Sequence, residues 1–124
     1  MRILHVGKFH PPFSGGIENF MGDLLPALSR LGEAVCVLAH AHEENQPWSD
    51  LSEEAWAAEK EPLVLRAPCY GRLVYAPLSP AFPFWMKRAL DRFQPDLLHL
   101  HVPNTSAFWV LGIAAARRIP WVLH

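Results

Sequence analysis

The sequence contains little cysteine, no surplus of basic residues and no long hydrophobic run, and each shortage excludes a class of protein. Its two cysteines, Cys36 and Cys69, lie in apolar strand-like segments, which is typical of reduced thiols in a cytosolic protein rather than of a disulfide scaffold. The 11 lysines and arginines are balanced by 12 acidic residues, so no basic field indicates nucleic-acid binding. No apolar run approaches the roughly 18 to 20 residues that span a bilayer. The short run from Ile3 to Val6 continues into Lys8 and predicts a first strand rather than a signal peptide.

The length, composition and hydrophobic pattern of the sequence indicate a layered α/β domain. The 124 residues suffice for one domain with a core, and a content of 51% hydrophobic and 19% charged residues suits a sheet covered on both faces. Short apolar runs alternate with segments whose apolar residues recur every three or four positions. The predicted strands are Ile3 to Val6, Ala34 to Ala39, Leu63 to Leu65, Leu73 to Tyr75, Asp96 to Val102 and a last one from Pro120, and the predicted helices are Ile17 to Leu31, Phe84 to Phe93 and Ser106 to Arg117. Residues 41 to 61 predict a loop with one helical turn. The alternation predicts a Rossmann-like, doubly wound and mainly parallel sheet with helices on both faces.

The loop after the first strand is the main candidate site. In an open parallel sheet, ligands bind beyond the carboxyl ends of the strands. There the sequence GKFHPPFSGGIE places Gly15 and Gly16 at the start of a helix, whose free N–H groups and positive dipole end attract anions. We expect Gly15, Gly16, Glu18, Lys8 and His10 to bind substrate or diphosphate. The alternatives are a tight turn for the glycines, a dipole-complementing role for the glutamate, and solvated side chains for the lysine and histidine.

Two nucleotide-binding motifs are absent from this loop. It lacks GxGxxG, so a dinucleotide site is poorly supported, and it lacks GxxxxGK[ST], so it is not a P-loop.

Histidines occur in pairs with a spacing of two residues. His99 and His101 lie on one predicted strand and therefore point to the same face, and His40 and His42 repeat the spacing after the second strand. Such pairs could contribute to a zinc site, but the sequence offers no compact set of histidine and cysteine ligands. We therefore predict no metal site.

The strand that carries His99 also ends near the expected cleft. We expect His101 and Asn104, which follow at its carboxyl end, to face the ligand. His5 and His99 are expected to be inner-strand residues with satisfied hydrogen bonds.

The segment from Phe82 to Phe93 combines large apolar residues with Lys87, Arg88 and Arg92. The favoured interpretation is a core helix with a basic outer face. The alternative is a helix that lies on an anionic membrane surface.

Two segments of the sequence resemble those of a known family. The opening MRILHVGKFHPPFSGGIENFMGDLLPALSRLGEAVCVLA and the segment QPDLLHLHVPN at 94 to 104 are similar to family-4 (group 1) retaining glycosyltransferases. That family combines a strand, paired prolines, Gly-Gly and "IE" before an amphipathic helix with a later "PDhhHhHsp" segment. The chain departs from the pattern at Glu33 and Ala34, where the family usually has His-Glu, and at Pro26.

The resemblance implies the N-terminal, acceptor-side half of a GT-B enzyme. Such enzymes transfer a hexose from a nucleotide sugar, with retention and without a bound metal or other cofactor, and here a UDP- or GDP-linked donor would serve a glycan or lipid-linked acceptor, as in lipopolysaccharide or exopolysaccharide synthesis. The resemblance also implies that Gly15 and Gly16 approach the diphosphate and that a functional histidine falls about two residues beyond His124. Residues 1–124 are expected to be a truncated domain, inactive alone because the C-terminal nucleotide-sugar domain is absent, and to be cytoplasmic with possible peripheral contact at the inner membrane face.

Two other functions remain open from sequence. One is a non-catalytic flavodoxin-like binding or regulatory domain, and the other is an epimerase built on the GT-B scaffold. The resemblance also implies that donor choice belongs mostly to the other domain.

Overall fold

The computed structural model describes residues 1–9, 15–40, 63–67, 72–73, 76–77, 79–104, 107–113 and 118–124. Within these ranges, strands and helices alternate along most of the chain. The strands are β1 (Arg2–Val6), β2 (Ala34–His40), β3 (Leu63–Ala67), β4 (Arg72–Leu73), β5 (Ala76–Pro77), β6 (Leu97–Leu100) and β7 (Trp121–Leu123). The helices are α1 (Gly16–Arg30), α2 (Phe82–Phe93) and α3 (Ala107–Gly112).

The main sheet is parallel throughout and has the strand order β3-β2-β1-β6-β7. The chain winds outward from β1 to β3 and then crosses back to β6 on the other side, which is the doubly wound arrangement. The prediction of a Rossmann-like α/β sheet is confirmed. The carboxyl ends of β1, β2 and β6 therefore share one edge of the sheet, and this edge is where the candidate residues lie.

Helices cover both faces of the sheet. Alternate residues of a strand point to opposite faces, so each strand contributes to two apolar layers. On one face, Met21 and Leu25 of α1 pack with Val35, Val37 and Ala39 of β2. On the other face, the buried side chains of α2 pack on strand residues that include Leu4, Leu38 and Leu98. The buried residues of α2 are Phe82, Trp85, Met86, Ala89, Leu90 and Phe93.

Helix α1 begins and ends one residue earlier than the predicted bounds, Ile17 and Leu31. Gly16 is its first residue, and the chain leaves the helix after Arg30. Gly32 has φ 88°, a left-handed conformation that glycine adopts without steric cost, and its N–H donates to the carbonyl of Ser29 at 3.1 Å. Pro26 lies within the helix.

Helix α2 begins two residues earlier than predicted. Its first residue is Phe82, because a proline in the first turn of a helix loses no hydrogen bond and Pro83 occupies that turn. The helix ends at Phe93, and the next residue, Gln94, has φ 50° and donates its N–H to the carbonyl of Leu90 at 3.0 Å. None of the described helices is long and apolar enough to cross a membrane.

Two predicted elements differ from the structure. Of the strand predicted from Leu73 to Tyr75, the structure describes only Leu73, which lies in β4, a strand that pairs antiparallel with β5. The last helix extends only to Gly112 and excludes Ile113, and the strand predicted from Asp96 is the shorter β6. The loop predicted over 41 to 61, together with Cys69, lies outside the described residues.

Candidate functional site at the carboxyl edge of the sheet

The residues that follow β1 are attached to the end of β2. The N–H of Gly7 donates to the carbonyl of Leu38 at 3.0 Å, and the N–H of His40 donates to the carbonyl of Lys8 at 3.0 Å. The ring of His40 is also 2.7 Å from that carbonyl through Nδ1. Because a carbonyl oxygen only accepts, Nδ1 carries the hydrogen. These bonds hold the start of the loop alongside β2.

The glycine pair lies at the amino end of α1. Gly15 is the residue before the helix and has an extended backbone, and its carbonyl accepts the N–H of Asn19 at 2.9 Å. Gly16 is exposed, and a Cβ atom placed there would meet no atom of the described residues within 4 Å beyond its chain neighbours and its own helix backbone. Among the residues that the structure describes, no side chain caps the helix. The first-turn amides therefore remain available as donors at the positive end of the helix dipole.

The remaining residues of the predicted site lie in different surroundings. Glu18 is in the first turn of α1 and is 5% exposed. Lys8 is half-buried, with its Nζ 5.6 Å from the centre of the Phe9 ring. His10 lies outside the described residues. Ligand contact by these side chains stays a prediction.

The predicted pair after β6 is buried rather than exposed. His101 is 0% exposed and Asn104 is 9% exposed, and the peptide bond between Val102 and Pro103 is cis. The N–H of His101 donates to the carbonyl of Val6 at 2.9 Å, so β6 continues past its last strand residue along β1. Ligand contact by His101 and Asn104 also stays a prediction.

A cluster of imidazole rings surrounds His101. His5 and His99 are partners in the register between β1 and β6, and their ring centres are 4.9 Å apart. The rings of His99 and His101 stack at 4.3 Å, which confirms that the two share a face. His124 lies 5.9 Å from His99 and 5.8 Å from His101 between ring centres, and Phe20 of α1 packs on His124 at 4.5 Å.

The hydrogen bonds of this cluster are incomplete, so the prediction that His5 is a satisfied inner-strand residue is wrong. Its Nδ1 is 3.1 Å from Nε2 of His101. Among the residues that the structure describes, Nε2 of His5 and Nδ1 of His101 are buried without a hydrogen-bond partner. The sequence alone does not predict the contact between His5 and His101. The contact depends on β1 lying beside β6, and the two strands are more than ninety positions apart.

Burial keeps these imidazoles neutral. Burial, followed by repulsion from His99 and His101, lowers the pKa of His5 to about 3. Burial, followed by repulsion from His99 and His124, lowers the pKa of His101 to about 4. The pKa of His99 is also lowered, mainly by burial and then by His124. A charged imidazolium loses its hydration inside the protein, and neighbouring rings of the same charge add to that cost.

His40 is a separate buried histidine on the other face of the sheet. It is 1% exposed and stacks on Phe82 of α2 with ring centres 4.8 Å apart. Burial lowers its pKa to about 4, although the hydrogen bond to the Lys8 carbonyl acts in the opposite direction. On the same face, Cys36 is a free, fully buried thiol whose pKa is raised by burial.

Comparison with known proteins identifies one family. Residues 15–124 match the family described as "Glycosyl transferase 4-like domain". No curated protein matches the chain. The family match begins at Gly15, includes the glycine pair, α1 and the histidine-bearing β6, and extends over every strand from β2 to β7.

Proposed function

Because the chain belongs to the glycosyl transferase 4-like domain family, we propose that it forms the acceptor-side half of a retaining GT-B glycosyltransferase. A second, C-terminal domain would bind most of a UDP- or GDP-linked hexose. The acceptor would be a glycan or a lipid-linked sugar, as in lipopolysaccharide or exopolysaccharide synthesis. The half described here would have no transferase activity alone, since the leaving nucleotide is bound mainly by the other domain.

The observation that carries this proposal is the open amino end of α1. Gly16 is exposed, and no described residue beyond its chain neighbours and its own helix backbone has an atom within 4 Å of a Cβ position, so its backbone can be approached closely. Nucleotide-sugar cleavage leaves negative charge on a diphosphate. Uncapped amides at the positive end of a 15-residue helix are suited to stabilise that charge. Glu18, in the same turn, is proposed to bind an acceptor hydroxyl.

We expect Gly16→Leu to reduce kcat/KM about 100-fold, equivalent to about 2.7 kcal/mol of transition-state stabilisation. The leucine would occupy the space that the sugar or diphosphate requires, while the fold has room for it. The measurement is the initial rate of sugar transfer by a protein that contains both domains, together with its melting temperature.

The matched control is Gly112→Leu at the end of α3. Gly112 is likewise exposed, and within the described part of the chain no atom outside its own helix and chain neighbours lies within 4 Å of a Cβ position. We expect its transfer rate to stay within about two-fold of the unsubstituted protein, as for an ordinary surface change. Equal rates for the two variants would show that α1 does not approach the substrate.

We also propose that the protein is cytoplasmic and contacts the inner membrane face through α2. Phe84 is 61% exposed on this helix. The neighbouring Lys87, Arg88 and Arg92 are exposed, and Lys87 pairs with Asp91 at 2.8 Å. The outer face therefore has three cations against one carboxylate around an apolar side chain, a combination that suits the surface of an anionic bilayer.

Vesicle pelleting tests the membrane contact. We expect co-sedimentation with vesicles that contain anionic lipid, and loss of binding in high salt because surface attraction is screened. Each cation near the surface contributes about 1 kcal/mol, so Arg88→Glu should weaken binding about ten-fold or more. Equal sedimentation with neutral and anionic vesicles would contradict the electrostatic contact.

A further inference from the structure

Three histidines converge on the α1-facing side of the sheet. One ring nitrogen from each of His5, His99 and His101 lies within 4.8 Å of a ring nitrogen from each of the other two. The convergence follows from the parallel register, which sets His5 opposite His99, and from the two-residue spacing that returns His101 to the same face. Two neighbouring strands therefore hold the three rings, so the cluster is built on rigid elements rather than on loops.

In this cluster, one ring nitrogen carries no hydrogen, and its lone pair accepts no hydrogen bond from the described residues. In the contact between Nδ1 of His5 and Nε2 of His101, one nitrogen donates and the other accepts. If His5 donates, its own Nε2 is bare, and if His101 donates, its own Nδ1 is bare. Both of these nitrogens are buried and lack a hydrogen-bond partner among the described residues. An unused imidazole lone pair is a preferred ligand for zinc, copper, iron and nickel ions.

We propose that His5, His99 and His101 form a binding site for a divalent transition-metal ion, of which Zn²⁺ fits best. Zinc accepts three imidazole ligands in a tetrahedral arrangement and leaves a fourth position for water or another group. The site goes beyond glycosyl transfer, because the resemblance to family-4 enzymes implies a reaction that needs no metal.

The spacing of the rings suits zinc. With Zn–N bonds of about 2.0 to 2.1 Å, two ligand nitrogens of a tetrahedral ion lie about 3.3 Å apart. Nδ1 of His5 and Nε2 of His101 are already 3.1 Å apart. They become a ligand pair when the ion replaces the hydrogen between them and that hydrogen moves to the bare outer nitrogen of its own ring. Only the more widely spaced nitrogens must move inward from within 4.8 Å, which small rotations of the rings about their side-chain torsions provide.

The surroundings supply an entry path and a position for a fourth ligand. His5 and His101 are fully buried, whereas His99 is only partly buried and opens the cluster toward solvent. His124 lies beside both His99 and His101. A solvent molecule or this fourth imidazole would complete the tetrahedron and reduce the cost of placing a dication among neutral ligands.

A bound ion would join two neighbouring strands. His5 lies on β1, His99 lies on β6, and His101 directly follows β6. The ion would therefore connect β1 and β6 through their side chains at the carboxyl edge of the sheet.

Calorimetric titration of the chelator-treated full chain with Zn²⁺ tests the site. We expect one equivalent to bind with micromolar or lower Kd. With free Zn²⁺ about 100-fold above Kd, the melting temperature should rise by roughly 5 to 10 °C. Substitution by Co²⁺ should give the visible absorption of a tetrahedral nitrogen-ligated ion. The absence of both a saturable zinc heat and the cobalt spectrum would overturn the proposal.

Two variants locate the bound ion. His99→Gln removes the most accessible ligand with the least change to the core, and zinc binding should weaken at least 100-fold. The control is His40→Asn, which removes a buried histidine from the opposite face of the sheet while its side-chain amide donates to the Lys8 carbonyl in place of Nδ1. It should bind zinc as the unsubstituted chain does, with circular dichroism confirming that each variant is folded. Unchanged zinc affinity in His99→Gln would overturn the assignment of the ligands.

Discussion

The free energy of unfolding should fall by about 5 kcal/mol when the pH is lowered from 7 to 5 in the presence of a metal chelator. Three buried histidines produce this effect: His5, His40 and His101, whose pKa values in the folded chain are about 3, about 4 and about 4. In the unfolded chain each titrates near 6.5. Below that value the unfolded state binds protons that the folded state excludes, so stability is complete above pH 6.5 and is lost as the pH falls toward 4.

The change in the free energy of unfolding per pH unit depends on how many protons bind on unfolding, rather than on the exact pKa values. Each such histidine contributes up to about 1.4 kcal/mol per pH unit between pH 6 and 5, so the three together contribute up to about 4 kcal/mol per unit. The charged groups that face them belong to neighbouring histidines and to one lysine. His99 and His124 lie beside His101, His99 lies beside His5, and Lys8 adjoins His40. Because a typical domain is stable by only 5 to 15 kcal/mol, partial unfolding near pH 5 is expected.

Urea denaturation at intervals between pH 7.5 and 5 measures the slope before carboxyl groups begin to titrate. His40→Asn retains a donor for the Lys8 carbonyl but has no titrating ring. Its slope should be smaller by about 1.4 kcal/mol per pH unit, whatever its stability at pH 7.5. A free energy of unfolding that stays constant from pH 7.5 to 5.5 would show that these histidines remain able to protonate in the folded chain.

The sequence predicted those helices and strands for which the hydrophobic period and the residues at the ends indicate the same element. Helix α1 has an apolar residue at every third or fourth position, and Gly32 follows its end with the left-handed backbone that such a stop requires. The strands β1 and β2 are mainly apolar because both of their faces are buried. Turn signals were less informative, since β4 and β5 are two residues each and carry no recognisable period.

The site was predictable only where it depends on one segment of chain. The position of Gly15 and Gly16 at the amino end of α1 follows from the loop sequence and the helix that begins there. His5 and His99 are neighbours only because the strand order places β6 directly beside β1. In sequence, two other strands of the main sheet lie between β1 and β6. The burial of His101 has the same origin. Spacing along the chain indicated two separate histidine pairs and no compact ligand set.

Phe82→Ala is expected to destabilise the chain by about 3 to 5 kcal/mol. The ring is 0% exposed and lies in the core cluster that joins α2 to the sheet. It also stacks on His40 at 4.8 Å with an interplanar angle of 22°. Removing it leaves a cavity beside strand residues that the rigid sheet is unable to close, so the loss of dispersion contacts adds to the loss of buried apolar area.

Phe84→Ala is the matched control, because it makes the same chemical change two residues further along α2. Its ring is 61% exposed, and the change is expected to alter the free energy of unfolding by no more than about 0.5 kcal/mol. The gain in helix propensity from phenylalanine to alanine is common to both variants, so it cancels in the difference between their urea midpoints. That difference also tests where the helix begins. A helix that started at Phe84 would leave Phe82 in the preceding turn with less of its surface against the sheet, and the two substitutions would then have similar, small effects.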